Sequence, residues 1–297
     1  MPLWNRTIDF SFRGWLVLSV FTGALVLAWT VIFALRVSHA PLRCRSGFVE
    51  LEARCCAPGQ GISGGECVGT PSLCPAPYQT TPDGCVLPPT RILLAGGSVT
   101  LGPTDWDSAE SVERIALSVR SFFIDQSEVD HHRYETCVKA GVCTTSLLKH
   151  EPGTPQTEVT ADQAQTFCRF AGGRLPTVAE WIFSASGTKT RRFPWGPHGL
   201  VCRRAVFGLN SGPCATQGTS AELPGMRPDG QSPDGVLDLS GNVAEWALDP
   251  QGQPSVRGGS FRSKSAGELK TWAAGRPRVG DDVGFRCVYE TSAQAGP

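Results

Sequence analysis

Twelve cysteines and five histidines carry most of the reactive side chains in this 297-residue sequence. Thiols can attack, pair with one another or bind soft metals, and spacing separates these uses. Cys44, Cys55, Cys56, Cys67, Cys74 and Cys85 crowd a stretch rich in glycine and proline. It has no C-x2-C pair and no histidine, which argues against zinc and for disulfides. Six cysteines leave many pairings open. The histidines (His39, His131, His132, His150, His198) are scattered. The adjacent His131 and His132 diverge on a helix or a strand, and a metal needs several convergent ligands, so they read as surface residues. Ser260 and Ser263 could be pictured as nucleophiles. No histidine follows His198 to serve as a nearby base, and the Gly-Gly-Ser run reads as a tight turn. Arg257, Arg276 and Arg286 are expected to pair with acids or carbonyls rather than to bind an anion.

The elements that would position these groups are short. Residues 91–102 read as a strand, a glycine turn and a second strand, and 121–130 as another strand with alternating faces. A short helix is predicted at 131–140. Thr160 with Gln163 and Thr177 with Glu180 have the spacing of capping boxes and predict two more helices, the first ending before Gly172. Beyond Ser186 the pattern is loops and short strands, and no internal repeat is evident. Trp181, Trp195 and Trp246 read as core, and Trp272 as the better surface candidate.

Glycine (34) and proline (23) favour a loop-rich fold. Lysine plus arginine balance aspartate plus glutamate at 27 each, so no basic stripe suggests a nucleic-acid partner. Residues 15–35 are apolar and uncharged, long enough for one membrane-spanning helix and too long for the core of a cleaved signal peptide. All twelve cysteines follow this run, so the far side is read as oxidising. The organisation expected is a cytoplasmic tail (1–14), a signal anchor (15–35), a disulfide-rich module with a linker from Val86 (44–90) and a main extracytoplasmic domain (91–290).

Five phrases then follow in order: GRLPTVAEW at 173–181, FPWG at 193–196, LSGNVAEW at 239–246, VRGGSF at 256–261 and VGFRC at 283–287. Together they resemble the formylglycine-generating enzyme (sulfatase-modifying factor) family. The resemblance implies an irregular α+β fold related to C-type lectins, with little regular structure, over about 91–290. It also implies a disulfide between Cys168 and Cys287, which leaves Cys137 with Cys143 and Cys202 with Cys214 as local pairs. It implies one structural calcium ion held by Asp238 and Glu245 with the carbonyls of Gly241 and Val243, a donor set of the oxygen type calcium prefers. A second calcium site is not expected, because Arg204-Ala205-Val206-Phe207 lacks the asparagine it would need.

The family enzyme binds copper(I) through two thiolates. The matching positions here are Ser263 and Glu268, neither a soft ligand, and no cysteine lies between Cys214 and Cys287. Neither copper nor formylglycine synthesis is therefore expected. The region left by those thiols, near Arg262, Ser263, Lys264, Glu268 and Trp272, is the candidate ligand pocket. The reading is a binding or scaffold protein of a bacterial envelope, its main domain periplasmic, for a peptide, a glycan or an envelope protein. The alternatives are an enzyme with different chemistry on this fold and a spacer presenting the disulfide-rich module.

Overall fold

The computed structural model describes residues 44–52, 54–81, 84–101, 115–145, 153–197, 204–208 and 220–291. The apolar run at 15–35, Cys202 and Cys214 lie outside them. Among the described residues no helix is long and apolar enough to cross a membrane.

The crowded cysteines build three hairpins of one design. β1 (Val49–Leu51) pairs with β2 (Arg54–Cys56), β3 (Gly61–Ser63) with β4 (Glu66–Val68), and β5 (Gln79–Thr81) with β6 (Gly84–Val86), all antiparallel. Disulfides Cys44–Cys55, Cys56–Cys67 and Cys74–Cys85 clip them, each joining residues 11 apart. Each unit opens with the same turn. The backbone N–H of Phe48 donates to Arg45, that of Gln60 to Ala57 and that of Tyr78 to Pro75. The stretch is therefore a threefold repeat, which corrects the expectation of none.

The residue closing that turn decides how each unit sits. Phe48 and Tyr78 meet edge to face at 5.0 Å and share a buried cluster with Leu87, Met226 and Leu237. Gln60 instead ties its own loop, accepting from the Ala57 N–H and donating to the Gly69 carbonyl. Apolar burial thus joins the hairpins to the main domain. Val86 and Leu87, expected as linker, are buried. The Tyr78 hydroxyl donates to the Pro224 carbonyl at 2.5 Å, and Arg54 donates to the carbonyls of Ser220 and Ala221.

β7 (Arg91–Leu94) and β8 (Gly97–Leu101) flank Gly96, but they join different sheets. β8 pairs with β9 (Ile115–Val119), and β7 pairs with β10 (Phe122–Asp125). β10 is shorter than its alternating pattern suggested. After Asp125 the chain leaves the sheet, and Glu128, Val129 and Asp130 are buried in a loop. Asp130 then caps α1 (His131–Lys139) by accepting the Arg133 N–H at 2.7 Å. α2 (Ala161–Phe170) and α3 (Val178–Ser186) open with capping boxes at Thr160/Gln163 and Thr177/Glu180.

β11 (Ala244–Leu248), β12 (Pro254–Arg257), β13 (Ala274–Gly275) and β14 (Val283–Gly284) form a sheet in the order β13-β12-β11-β14. β15 (Val288–Glu290) returns to pair with β10. Phe167 of α2 lies 5.6 Å from Tyr134 of α1 and 5.5 Å from Phe285, and these rings centre the first core. Trp181 of α3 packs with Phe122 and Ile124 of β10 in a second. Cys168 is joined to Cys287 and Cys137 to Cys143. The result is a mixed α and β fold with few helices, short strands and a disulfide-rich region.

The Cys168–Cys287 bridge closes a loop of 119 residues, whereas Cys56–Cys67 closes one of 11. In the chain-entropy view, replacing the first pair by alanine costs about 4–5 kcal/mol and the second about 3 kcal/mol. Urea unfolding of the two double variants checks this; equal losses would mean the long loop is already constrained when unfolded.

Candidate functional site

Two polar regions face away from each other across β11. The inner one is centred on Arg286, which is wholly buried. Its Nε and Nη2 donate to the two Glu245 oxygens at 2.7 and 2.6 Å. Its remaining donors reach the carbonyls of Asp125 and Gln126 at 3.2 Å and of Leu237 at 2.9 Å. Trp181 Nε1 also donates to Glu245, at 2.7 Å. Matched donors of this kind offset the cost of burying a guanidinium.

Around this pair lie residues that sequence reasoning missed. Glu128 accepts from Asn242 Nδ2 at 3.0 Å, and Asn242 Oδ1 accepts the Glu222 N–H at 2.8 Å. The Glu222 carboxylate pairs with buried Arg227 at 2.5 and 2.9 Å. The backbone bends sharply to assemble them. Asp238 and Asn242 take φ of 54° and 57°, and Gly241 takes 87°. A Cβ on Gly241 would stand 2.3 Å from the Val206 carbonyl oxygen, so only glycine fits. Burial, then the nearby Asp238 charge, push the Glu128 carboxyl well above its ordinary range. Burial likewise pushes Asp238 up to about 6, against the pull of the Gly225 N–H and Arg286.

The structure brings Asp238, Gly241, Val243 and Glu245 into this neighbourhood, where Glu245 is committed to Arg286 rather than held open for a calcium ion. Both Glu245 oxygens accept from Arg286 or Trp181, and an Asp238 oxygen accepts the Gly225 N–H. A divalent ion here would share its carboxylate with a guanidinium at contact distance, and like charges so placed repel.

The outer region is an open cleft of ≈ 250 Å³. Ala244, Val256, Ala274 and Gly275 form its sheet side, and Gly259, Ser260, Arg262, Ser263, Glu268, Arg276, Arg278 and Asp282 the rest. Gly259 has φ of 65°, and a Cβ there would meet Ser263 Oγ at 2.8 Å. Ser260 donates through its N–H to Ser263 Oγ at 3.0 Å and through its hydroxyl to Asp282 at 2.7 Å. Arg278 holds Asp282 through two bonds of 2.5 and 2.6 Å. Burial works against the Asp282 charge, but Arg278 and Ser260 keep its carboxyl below the usual range. Arg262 pairs with Asp281. Glu268 Oε1 accepts the N–H groups of Lys264 and Ser265 at 3.2 and 3.1 Å, which folds the loop back on itself.

The cleft thus gathers Arg262, Ser263 and Glu268 of the sequence-predicted pocket. Lys264 and Trp272 are not part of its lining. The turn at Ala266–Leu269 buries Leu269 and swings Trp272 against the second core, with Lys270 Nζ 5.8 Å from its ring centre. Arg286 pairs with an acid, and Arg257 donates to the carbonyls of Trp272 and Ala273. Arg276 departs from the same expectation: it is exposed and has no acidic partner among the described residues.

Residues 79–291 match the family described as the sulfatase-modifying factor enzyme 1-like domain. The chain is 30% identical over 177 residues to the formylglycine-generating enzyme of Bos taurus, covering 49% of this chain and 46% of that protein. It is 32% identical over 149 residues to the inactive C-alpha-formylglycine-generating enzyme 2 of Mus musculus, covering 45% and 48%. The chain spans about half the length of these relatives. Among solved structures, PvdO from Pseudomonas aeruginosa aligns over 74% of this chain and all of its own, with TM-score 0.55 and 19% identity. Treponema denticola variable protein 1 aligns over 73% with TM-score 0.54 and 18% identity. At these identities the structures speak to the fold alone.

Glu245→Gln leaves the buried Arg286 short of its counter-charge and lowers stability by about 3–5 kcal/mol. Urea unfolding in EDTA and in millimolar calcium gives the same loss; a wild-type midpoint that rises with calcium would place the ion here after all. A second prediction concerns pH. The folded Asp238 holds its proton up to about 6 against an ordinary 3.8, so the native state binds more protons than the unfolded state between these values. Its contribution is full below 3.8 and is lost as pH rises through 6. Asp238→Asn keeps the acceptor for Gly225 and removes that loss. The variant gains up to about 3 kcal/mol on wild type between pH 4 and pH 7, read from unfolding midpoints at both.

Proposed function

Because the chain belongs to the family of sulfatase-modifying factor enzyme 1-like domains, we propose that it uses this fold as a ligand-binding or scaffold domain rather than as a thiol oxidase. The observation that carries the reading is the state of Ser263 and Glu268. Both hold the loop in shape, Ser263 through the Ser260 N–H and Glu268 through the N–H groups of Lys264 and Ser265. Neither offers a soft donor for copper(I), and no cysteine lies between Cys214 and Cys287. What remains is an open, polar cleft on a scaffold stiffened by disulfides. The relative in Mus musculus whose name describes it as inactive supports a role for the fold without the oxidation.

The domain would stand outside the cytoplasm of a bacterium, held by the apolar run at 15–35 and facing the periplasm. Among the described residues every cysteine is in a disulfide, which favours an oxidising compartment. The ligand would be a peptide, a glycan or an envelope protein.

Gly275→Trp tests the cleft without touching the buried network, because Gly275 is exposed on the cleft wall and a Cβ there stands 3.4 Å from Val256 Cγ1, on the sheet face that Ala244 offers to the cleft. Its indole would fill the space. A ligand selected against the full chain from peptide and glycan panels should bind the variant at least about tenfold more weakly, a loss of about 1.4 kcal/mol, with the melting temperature unchanged. Equal binding by the variant would move the binding surface elsewhere and overturn the reading.

A further inference from the structure

The three hairpin disulfides close loops of the same length, each joining cysteines 11 residues apart. Loop entropy is therefore equal among them, and their surroundings set them apart. Cys44–Cys55 and Cys74–Cys85 pack in or against the cluster of Phe48, Tyr78, Met226 and Leu237. The two disulfides of the main domain, Cys137–Cys143 and Cys168–Cys287, lie in the first core. Cys56–Cys67 belongs to none of the buried apolar clusters among the described residues. Cys56 is buried, but Cys67 is only half-buried. Exchange begins with a thiolate reaching one sulfur, so the disulfide that solvent can reach is the labile one.

A second observation concerns the hairpin that this disulfide clips. In the first hairpin β2 is buried along its length, and in the third β6 buries Cys85 and Val86. In the middle one neither β3 nor β4 contains a buried residue. Gln60 stands where Phe48 and Tyr78 anchor the others, and its side chain bonds only within its own loop. Ser72 closes that loop on the Pro58 carbonyl, through its N–H at 2.7 Å and its hydroxyl at 2.9 Å. Among the described residues no side-chain hydrogen bond of 57–73 reaches the main domain. A segment with so little burial opens at low free energy, so the covalent bond is what holds it. Both cysteines also precede residue 79, where the family match begins.

We infer that Cys56–Cys67 is a thiol-exchange site: a protein dithiol opens it ahead of the other disulfides, and residues 57–73 are released while the rest of the domain stays folded. A thiolate of the dithiol attacks Cys67 Sγ. The S–S bond breaks, and Cys56 leaves with the electron pair and takes up a proton. The second thiol, as its thiolate, then displaces Cys67 from the mixed disulfide, and Cys67 is protonated in turn. Two electrons and two protons pass to the cysteines, and the dithiol becomes a disulfide.

The probe is reduced thioredoxin added to the full chain, with dithiothreitol as the small dithiol in parallel. Samples are quenched with iodoacetamide over time, and alkylated cysteines are located by mass spectrometry. Cys56 and Cys67 should be alkylated together, at least about tenfold sooner than the cysteines of the other four disulfides described. Amides at 61–68 should then exchange with solvent at least about tenfold faster. Tryptophan fluorescence should stay that of the folded domain, since every tryptophan lies outside 44–90. A thioredoxin whose second active cysteine is replaced by serine should be trapped on Cys67. Another of these disulfides opening first or at the same rate, or none opening, would overturn the site. Opening with the fluorescence of an unfolded chain, or with unchanged exchange at 61–68, would overturn the local release. Opening by dithiothreitol alone would overturn the protein dithiol as reductant, and a trap on Cys56 would overturn the order of attack.

Discussion

A guanidinium that cannot reach water organises this domain. Arg286 draws on Glu245 of β11 and nearby Leu237 and on the carbonyls of Asp125 and Gln126 at the end of β10, so the chain at 125–126, at 237–245 and at Arg286 itself must converge around one charge. Burying a charge costs several kcal/mol unless it is paired and its remaining hydrogens are matched. The surrounding chain is bent to meet that requirement. Left-handed backbone at Asp238 and Asn242 is local strain that the convergence justifies, and glycine at 241 lets the chain pass close to Val206. One positive charge does not neutralise three neighbours. Glu245 holds it through two bonds, so Glu128 and Asp238 are left to resist ionisation in the same low-dielectric space.

The same convergence shapes the cleft. Successive residues of a strand point to opposite faces, so β11 offers Ala244 to the cleft and Glu245 to the network. Asn242 accepts the Phe261 N–H through its carbonyl, and Gly258 accepts the Gly241 N–H. The loop that floors the cleft is thus tied at its start to the backbone that holds the buried acids. Further along, Ser260 and Arg278 fix Asp282, whose carbonyl accepts the Ala244 N–H. Cleft walls and buried charge are separate in chemistry and continuous in backbone.

How much of this was legible follows from how local each feature is. The capping boxes at Thr160 and Thr177 were readable because cap and partner lie within one turn. The hairpin repeat was readable in principle, since each disulfide spans the same 11 residues, but the adjacent Cys55 and Cys56 make the six cysteines look unevenly spaced. Lys264 and Trp272 were placed in the pocket by nearness in sequence, and a turn too short to show a periodicity lays a half-buried Trp272 against the second core instead. The centre of the buried network was legible in part, since Arg286 was expected to pair with an acid and Glu245 to sit near Asp238, but the residues around them were not. Glu128, Glu222, Asn242 and Arg227 are ordinary surface types, and only the tertiary fold shows that they meet.

The hairpins bear on the domain in a way their covalent staples do not convey. Two of the three contribute an aromatic ring to a shared cluster with Met226 and Leu237, and Tyr78 and Arg54 grip the chain at 220–224. That segment presents the Glu222 N–H to Asn242, and Gly225 just beyond it donates to Asp238. The hairpins therefore brace the buried acids from outside. A free-standing module on a flexible stalk would not be coupled to the interior in this way. The middle hairpin lacks the aromatic ring, and Val68 and the nearby Leu73 remain exposed, so only two of the three repeats are needed to seal the core. Disulfides stiffen each hairpin, but burial of Phe48, Tyr78 and Leu87 is what makes the stretch part of the domain.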